Sequence, residues 1–286
     1  MYVPGTHKDI LKIANKKKFP KLTSVVFCLE DSIKERDLSS ATDNILSAIP
    51  LFNQSLNIYR FVRPRNNQVL ETLLQNESIS GLHGFVLPKI SLKSLVEAVE
   101  MVEKAGYHHT LMITLETVEV FRSSFIDELA TLLDEDRYKK FVSCIRIGGL
   151  DLLNILKIKR PKGVTIYDTP LKGVINNVVS AFKPIGYPVT SCAYEYFDDH
   201  ETLSTEIDLD FAHGLMGKTI IHPNQLNIVL DKYMVCESDF NMAVKIMEPN
   251  APSVFKLNGS MCEVATHKNW ATDVLDRAKT FGVKNC

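Results

Sequence analysis

The 286-residue chain has no long apolar run, no C-x-x-C pair, no H-x-x-x-H or H-E-x-x-H, no glycine-rich phosphate loop and a single tryptophan, Trp270. Each absence removes a class of protein. No stretch approaches the roughly 20 apolar residues of a membrane span, and the opening Met-Tyr-Val-Pro-Gly lacks the charged-then-apolar order of a secretion signal. A cytoplasmic protein with no membrane partner is therefore expected. The 33 basic and 34 acidic side chains leave a net charge of -1, which supplies no field for a polyanion, so no nucleic-acid partner is expected. His108 and His109 are adjacent and point to different sides, which argues against a zinc site. The six cysteines are scattered, and Cys28, Cys144 and Cys192 fall inside apolar runs, so buried reduced thiols are expected rather than disulfides. Trp270 falls on a tail helix, where packing is the default role.

What is present is an alternation of short β-branched runs with helical patterns. Strands are predicted at Met1–Val3, Ser24–Leu29, Asn57–Val62, Gly84–Leu87, Thr110–Leu115, Cys144–Ile147, Val189–Ala193 and Lys218–Ile221. Their near-continuous apolar character suits strands covered on both faces, the habit of parallel sheets. Between them Leu92, Leu95, Val96 and Val99, and again Ile126, Leu129, Ala130 and Leu133, recur at helical spacing. Ser32 with Glu35 reads as a capping box, and Thr169-Pro170 as an N-cap followed by an N1 proline. Eight strands alternating with helices, the first beginning at residue 1 and none followed by G-x-G-x-x-G, favour an α/β protein of the (β/α)8 TIM-barrel kind over a doubly wound sheet. The barrel is expected over residues 1–236. Residues 237–286 are expected to form a C-terminal helical extension of the same domain, covering a site or reaching a neighbouring subunit.

The charges fall at particular places. Five consecutive predicted strands end in charge: Glu30-Asp31, Arg63 with Arg65 nearby, Lys89, Glu116 and Asp151. In a barrel these ends meet at one mouth, where barrel enzymes keep their chemistry. Each residue alone could be a helix cap or a solvated loop charge; together they describe a site for a cation and an anion. Glu116 and Asp151 lie on adjacent strands about 4.8 Å apart and reach one small hard cation. Two carboxylates leave octahedral Mg²⁺ room for water and a bidentate oxygen substrate. The arginines suit a substrate carboxylate or a developing enolate oxygen.

The segments YVPG, FCLEDSI, FVRPRN, GFVLPKI, ITLETVEVF, RIGGLDLL and GLMGKTIIHPNQL, taken in order along nearly the whole chain, resemble the citrate lyase β-subunit-like group of the HpcH/HpaI aldolase superfamily. The resemblance implies a barrel of the pyruvate/phosphoenolpyruvate type that makes or breaks carbon–carbon bonds with Mg²⁺. It assigns metal binding to Glu116 and Asp151, and the substrate's carboxylate and carbonyl oxygen to Arg63. Lys89 would line the mouth, Glu30 and Asp31 would support hydrogen bonding and metal-bound water, and His222 would orient the final loop or touch substrate. The reaction implied is retro-aldol or retro-Claisen cleavage of a 3-hydroxy acid or its CoA thioester. Malate synthase-like condensation, thioester hydrolysis and a metabolite-binding barrel without turnover are the alternatives. The partners implied are a small carboxylate or acyl-CoA and, as the family's habit, a second copy of the chain in a homo-oligomer.

Three departures stand out. Glu116 and Asp151 are 35 positions apart, which implies an enlarged connection. The proline in Val-Arg-Pro-Arg-Asn leaves open whether Arg63 or Arg65 points inward. In the tail, Glu263 stands where the family has a catalytic aspartate, which makes it a candidate acid or base one methylene longer.

Overall fold

The structure, a computed structural model, describes residues 1–286. The chain forms two compact units, Met1–Leu226 and Asn227–Cys286. No helix is long and apolar enough to cross a membrane.

The first unit is built on a parallel sheet in sequential order: β1 (Tyr2–Pro4), β2 (Ser24–Cys28), β3 (Tyr59–Arg63), β4 (Gly84–Leu87), β5 (Thr110–Leu115), β6 (Val142–Ile147) and β7 (Val189–Thr190). Helices α1 (Ile10–Ala14), α2 (Leu38–Ala48), α3 (Asn67–Leu74), α4 (Leu92–Ala105), α5 (Ser123–Leu133), α6 (Asp136–Phe141), α7 (Gly149–Ile155), α8 (Leu171–Phe182) and α9 (His200–Ala212) fill the connections. Of the helical stripes read from the sequence, α4 buries Leu95 and Val99 and leaves Leu92 and Val96 half-buried, and α5 buries Ile126, Leu129 and Leu133 and leaves Ala130 half-buried. Two helices, α5 and α6, account for the long path from Glu116 to Asp151. Alternation along the strands sends Val26, Phe61 and Val86 into one cluster against Tyr2 and Met112. The next layer along the same faces holds Cys28 opposite Arg63, and Thr114 opposite Arg146.

The eighth predicted strand, Lys218–Ile221, is present in place but not as a ladder. It makes a single parallel bridge, Lys218 with Ser191 just beyond β7, and the Tyr2 N–H donates to the Ile220 carbonyl at 2.8 Å. The ring of seven strands therefore closes through this segment. Gly217, at φ +102, breaks the extended path just before it, and the Lys218 side chain leaves to join a buried cluster of acids. In that cluster Lys218 Nζ bonds Glu206 at 2.7 Å, Asp210 at 3.0 Å and Ser191 at 3.0 Å. Arg160 bonds Glu206 at 2.5 Å and also pairs with Glu195. Tyr167 donates to Asp210 at 2.7 Å. The side chains of Arg160, Glu206, Lys218 and Asp210 are fully buried. Burial alone would discharge Lys218, but Asp210 and Glu206 outweigh it and hold the ammonium above the ordinary lysine range.

Two local expectations are corrected. Ser32 does not start a helix: the turn Glu35–Asp37 begins after an extended Lys34 with no side-chain cap. Thr169 does accept from the Leu171 N–H at 3.3 Å, but α8 starts after Pro170 rather than at it.

Helix α10 (Leu226–Tyr233) leads into β8 (Val235–Cys236), α11 (Glu237–Met247), a hairpin of β9 (Val254–Leu257) and β10 (Ser260–Glu263), and α12 (Val264–Phe281); β11 (Val283–Lys284) then pairs with β8. Val235, Ala243, Ile246, Cys262, Ala271 and Val274 form the core of the second unit. Asn258 and Gly259, both at positive φ (51° and 79°), make the two-residue turn such hairpins favour. Cys236 and Cys286 form a disulfide with Cα atoms 5.6 Å apart, which corrects the expectation of six free thiols. Cys28, Cys144, Cys192 and Cys262 are free and buried as expected; burial pushes the Cys144 thiol up to about 11 and Cys192 to about 12. Both are inert at neutral pH.

Candidate active site

Six of the sequence-predicted residues meet where the strands of the first unit end. Glu30 follows β2, Arg63 ends β3, Lys89 follows β4, and Glu116 follows β5. Asp151 lies in the first turn of α7, three residues beyond Gly148. Glu30 is the hub: Arg63 Nη2 lies 2.9 Å from one of its oxygens and Lys89 Nζ 2.6 Å from the other. Lys89 also bonds Asp31 at 2.9 Å and stands 4.0 Å from Asp151. Its backbone N–H donates to Glu116 at 2.8 Å. To do both, Lys89 adopts φ +46, a left-handed conformation that costs a non-glycine residue free energy and concentrates at functional sites.

The glycines of Arg-Ile-Gly-Gly-Leu-Asp are sterically required. A Cβ on Gly148 would stand 2.3 Å from Glu116 Oε2, and one on Gly149 would stand 2.6 Å from Cys192 Sγ. The bare backbone lets α7 bring Asp151 up to Glu116. Over them opens a pocket of about 580 Å³ whose lining includes Asp31, Arg63, Glu116, Arg146 and Asp151.

Charge in this mouth is unevenly compensated. Burial first, and then the neighbouring Asp151, push the Glu116 carboxyl up to about 7. Burial and Asp31 raise Asp151. Burial would raise Asp31 too, but hydrogen bonding to Glu30 and Lys89 outweighs it, and the net shift is downward. Lys89 and Arg63 are each held above their ordinary ranges: burial opposes their charge, but Glu30 and Asp31 outweigh it for Lys89, and Cys28, Tyr2 and Glu30 for Arg63. Four carboxylates thus share two cations, and the two left without an ion pair closer than 4.0 Å are Glu116 and Asp151.

That surplus of acid fits a hard dication. Glu116 is 3% exposed, reaches no cationic side chain, and faces a second raised carboxyl. No third His, Cys, Asp or Glu joins the pair in a metal-binding cluster, a donor set that suits Mg²⁺, which keeps several waters and takes one or two carboxylates.

Arg65 and His222 make other contacts in the first unit. Arg65 turns away from the pocket, donating to the Ile33 carbonyl at 2.5 Å and pairing with Glu35 at 3.2 Å. Of the two arginines, Arg63 is the one that lines the pocket. His222 caps its own turn, accepting from the Asn224 N–H at 3.2 Å, and stacks on Phe197 at 4.3 Å. Within the second unit, Glu263 precedes α12, its N–H donating to His267 at 3.1 Å. Sequence reasoning passed over Cys28, whose sulfur takes hydrogen bonds from Arg63 Nε and Nη2 at 3.2 Å each. It also missed Tyr2 and Arg146. The available signal was period-two alternation, which puts Arg146 on the face shared by Cys144 and Gly148.

A parallel α/β ring with acids and bases gathered at the C-terminal mouth of its strands defines a barrel enzyme with a carboxylate-rich, metal-suited pocket. Residues 1–283 match the C–C bond lyase family of the TIM-barrel fold, and the chain belongs to that family, whose chemistry is carbon–carbon bond cleavage. Among solved structures, it is similar to a citrate lyase from Burkholderia xenovorans (TM-score 0.77, 14% identity, covering 100% of this chain and 92% of the other). It is also similar to CitE from Mycobacterium tuberculosis in complex with magnesium, acetoacetate and coenzyme A (0.68, 18%, 97% and 96%). A third relative in fold is the magnesium/glyoxylate complex of Haloferax volcanii malate synthase (0.67, 14%, 79% and 72%). No curated protein matches it in sequence.

Proposed function

We propose that the protein is a Mg²⁺-dependent lyase that cleaves a 3-hydroxy acid, free or as its CoA thioester, by retro-aldol or retro-Claisen chemistry. The observation that carries this reading is the pair of raised, unneutralised carboxyls, Glu116 and Asp151, opening onto the same pocket as Arg63. These two residues would hold the metal, which when bound supplies Lewis-acid polarisation of the substrate's oxygens. Magnesium in complexes of the similar CitE and malate synthase supports the assignment.

Arg63 binds the substrate carboxylate and stabilises charge on the oxygen of the departing enolate. Asp31 is the proton acceptor in the barrel unit: it lines the pocket, is half-exposed and stays ionised. It takes the hydroxyl proton, the carbon–carbon bond breaks, one fragment leaves with a carbonyl, and the electron pair passes to the enolate of the other. Lys89 and Glu30 fix the positions of Asp31 and Arg63. Glu263 is proposed as a second proton-transfer group on its carboxylate chemistry alone. His222 and Arg65 shape the loops rather than bind substrate. The protein works in the cytoplasm as a homo-oligomer.

Glu116→Ala and Asp151→Ala are the test. Each is expected to abolish Mg²⁺ binding in calorimetry and Mg²⁺-dependent cleavage while preserving the circular dichroism spectrum. Unchanged metal affinity in both variants would reject the site.

A further inference from the structure

Arg146 is the one guanidinium of the barrel interior whose donors the protein leaves largely unspent. Arg63 is paired with Glu30, and Arg160 with Glu195 and Glu206. Arg60 donates to the carbonyls of Ala14 and Asn53. Arg146 has no carboxylate within 4 Å: it donates to Thr219 Oγ1 at 2.8 Å and lies 3.7 Å from the Met112 thioether, a weak acceptor. A guanidinium carries five N–H donors, and Arg146 lines the pocket.

Two neighbours mark the same spot. Thr114, level with Arg146 across the β5–β6 pair, is 4% exposed, lines the pocket, and its Oγ1 has no hydrogen-bond partner. Buried hydroxyls are satisfied in most folded proteins, so an orphan beside a surplus cation points to an absent acceptor. Tyr2 lies beneath both arginines, with the guanidinium carbons of Arg63 and Arg146 at 5.0 and 5.5 Å from its ring centroid. The two cations can therefore be no further apart than those distances together, a span that a small molecule bridges.

We infer that Arg146 determines specificity by seating a second anionic group, with Thr114 donating to it, so that the acid this pocket takes is a dianion rather than a monocarboxylate. The inference rests on the lyase reading for the first anion, which Arg63 holds at the metal end. A carboxylate and a phosphoryl group both suit a guanidinium fork, and the probes separate them.

The experiment is calorimetry in Mg²⁺ with pyruvate, oxaloacetate and phosphonopyruvate, which share a keto-acid head and differ in the second anion. The wild-type chain is expected to bind at least one dianion about tenfold or more tightly than pyruvate. Arg146→Gln should bring that ratio to within about twofold and leave pyruvate affinity unchanged, and Arg146→Lys should restore part of the ratio. Thr114→Val, nearly isosteric and safe for folding, should lower dianion affinity several-fold without touching pyruvate. Arg146→Gln keeping the wild-type ratio, or wild-type protein binding pyruvate as tightly as both dianions or binding none of the three, overturns the inference. Turnover is assayed separately. Arg146-dependent dianion binding without cleavage would sink the lyase reading alone, and cleavage with an Arg146-independent ratio would sink this inference alone.

Discussion

The barrel unit holds two dense clusters of charge built from the same residue types, and they have opposite characters. Beside β7, Arg160 and Lys218 are paired with Glu206, Asp210 and Glu195, while Tyr167 and Ser191 donate to Asp210 and the Ile166 N–H donates to Glu206. At the mouth, four carboxylates share Arg63 and Lys89, and Glu116 and Asp151 are left with raised pKa values. The difference teaches that buried charge becomes structure when every partner is supplied by the chain, and becomes a binding site when one is withheld.

The comparison can be broken most severely from the structural side. Lys218→Met removes the cation paired with buried Asp210 and one of the two paired with buried Glu206, and is expected to cost about 3–5 kcal/mol in urea unfolding. A midpoint equal to wild type would erase the distinction between the clusters.

The mouth should respond in the opposite sense. Folded Glu116 keeps its proton up to about pH 7, whereas an unfolded glutamate releases it near 4.5. Between those values the folded chain holds more protons, so this group makes stability fall as pH rises, by on the order of 3 kcal/mol in all without divalent cation. Glu116→Gln should flatten that slope and be the more stable protein at pH 8; an identical slope in both proteins would refute the assignment. On the proposed function, Mg²⁺ would sharpen the same contrast by binding the ionised pair. At a hundred times its dissociation constant it should stabilise the wild-type chain by about 2.7 kcal/mol and Glu116→Gln far less, read as a shift in Tm.

The smallest effect separates Arg63 from Arg65. Arg65→Ala loses an ion pair to exposed Glu35 and two carbonyl contacts, so stability should drop by about 1 kcal/mol with kcat/KM unchanged. Arg63→Ala should lower kcat/KM by two orders of magnitude or more. Equal kinetic losses would mean that both side chains serve the pocket.

The mouth was more legible in the sequence than the structural cluster, for a physical reason. Glu30, Arg63, Lys89, Glu116 and Asp151 each stand at the end of an apolar run, and a strand's direction carries its last residues to a common rim. Glu206 and Asp210 are spaced like solvent-facing acids on α9, and Lys218 reads as the first residue of a predicted strand. Only tertiary packing brings them together. Arg146 and Tyr2 were hidden differently, as residues inside strand patterns whose inward face is set by register. The hairpin at Asn258-Gly259 had a local signal that its Pro- and Ser-rich surroundings masked. The Cys236–Cys286 pairing had none, since its partners are 50 residues apart.

The single-bridge closure of the barrel bears on how the ring moves. Elsewhere neighbouring strands share ladders, but beside Lys218–Ile221 the seam is held by the Ser191–Lys218 bridge on one side and the Tyr2 N–H on the other. Elastic compliance is therefore concentrated along one line of the cylinder, and amide hydrogen exchange should be faster at Tyr2 and Ser191 than at Val26 or Phe61. Tyr2 lies on that line and carries Arg63 and Arg146 over its ring. Small openings of the seam would therefore change the gap between the two guanidiniums.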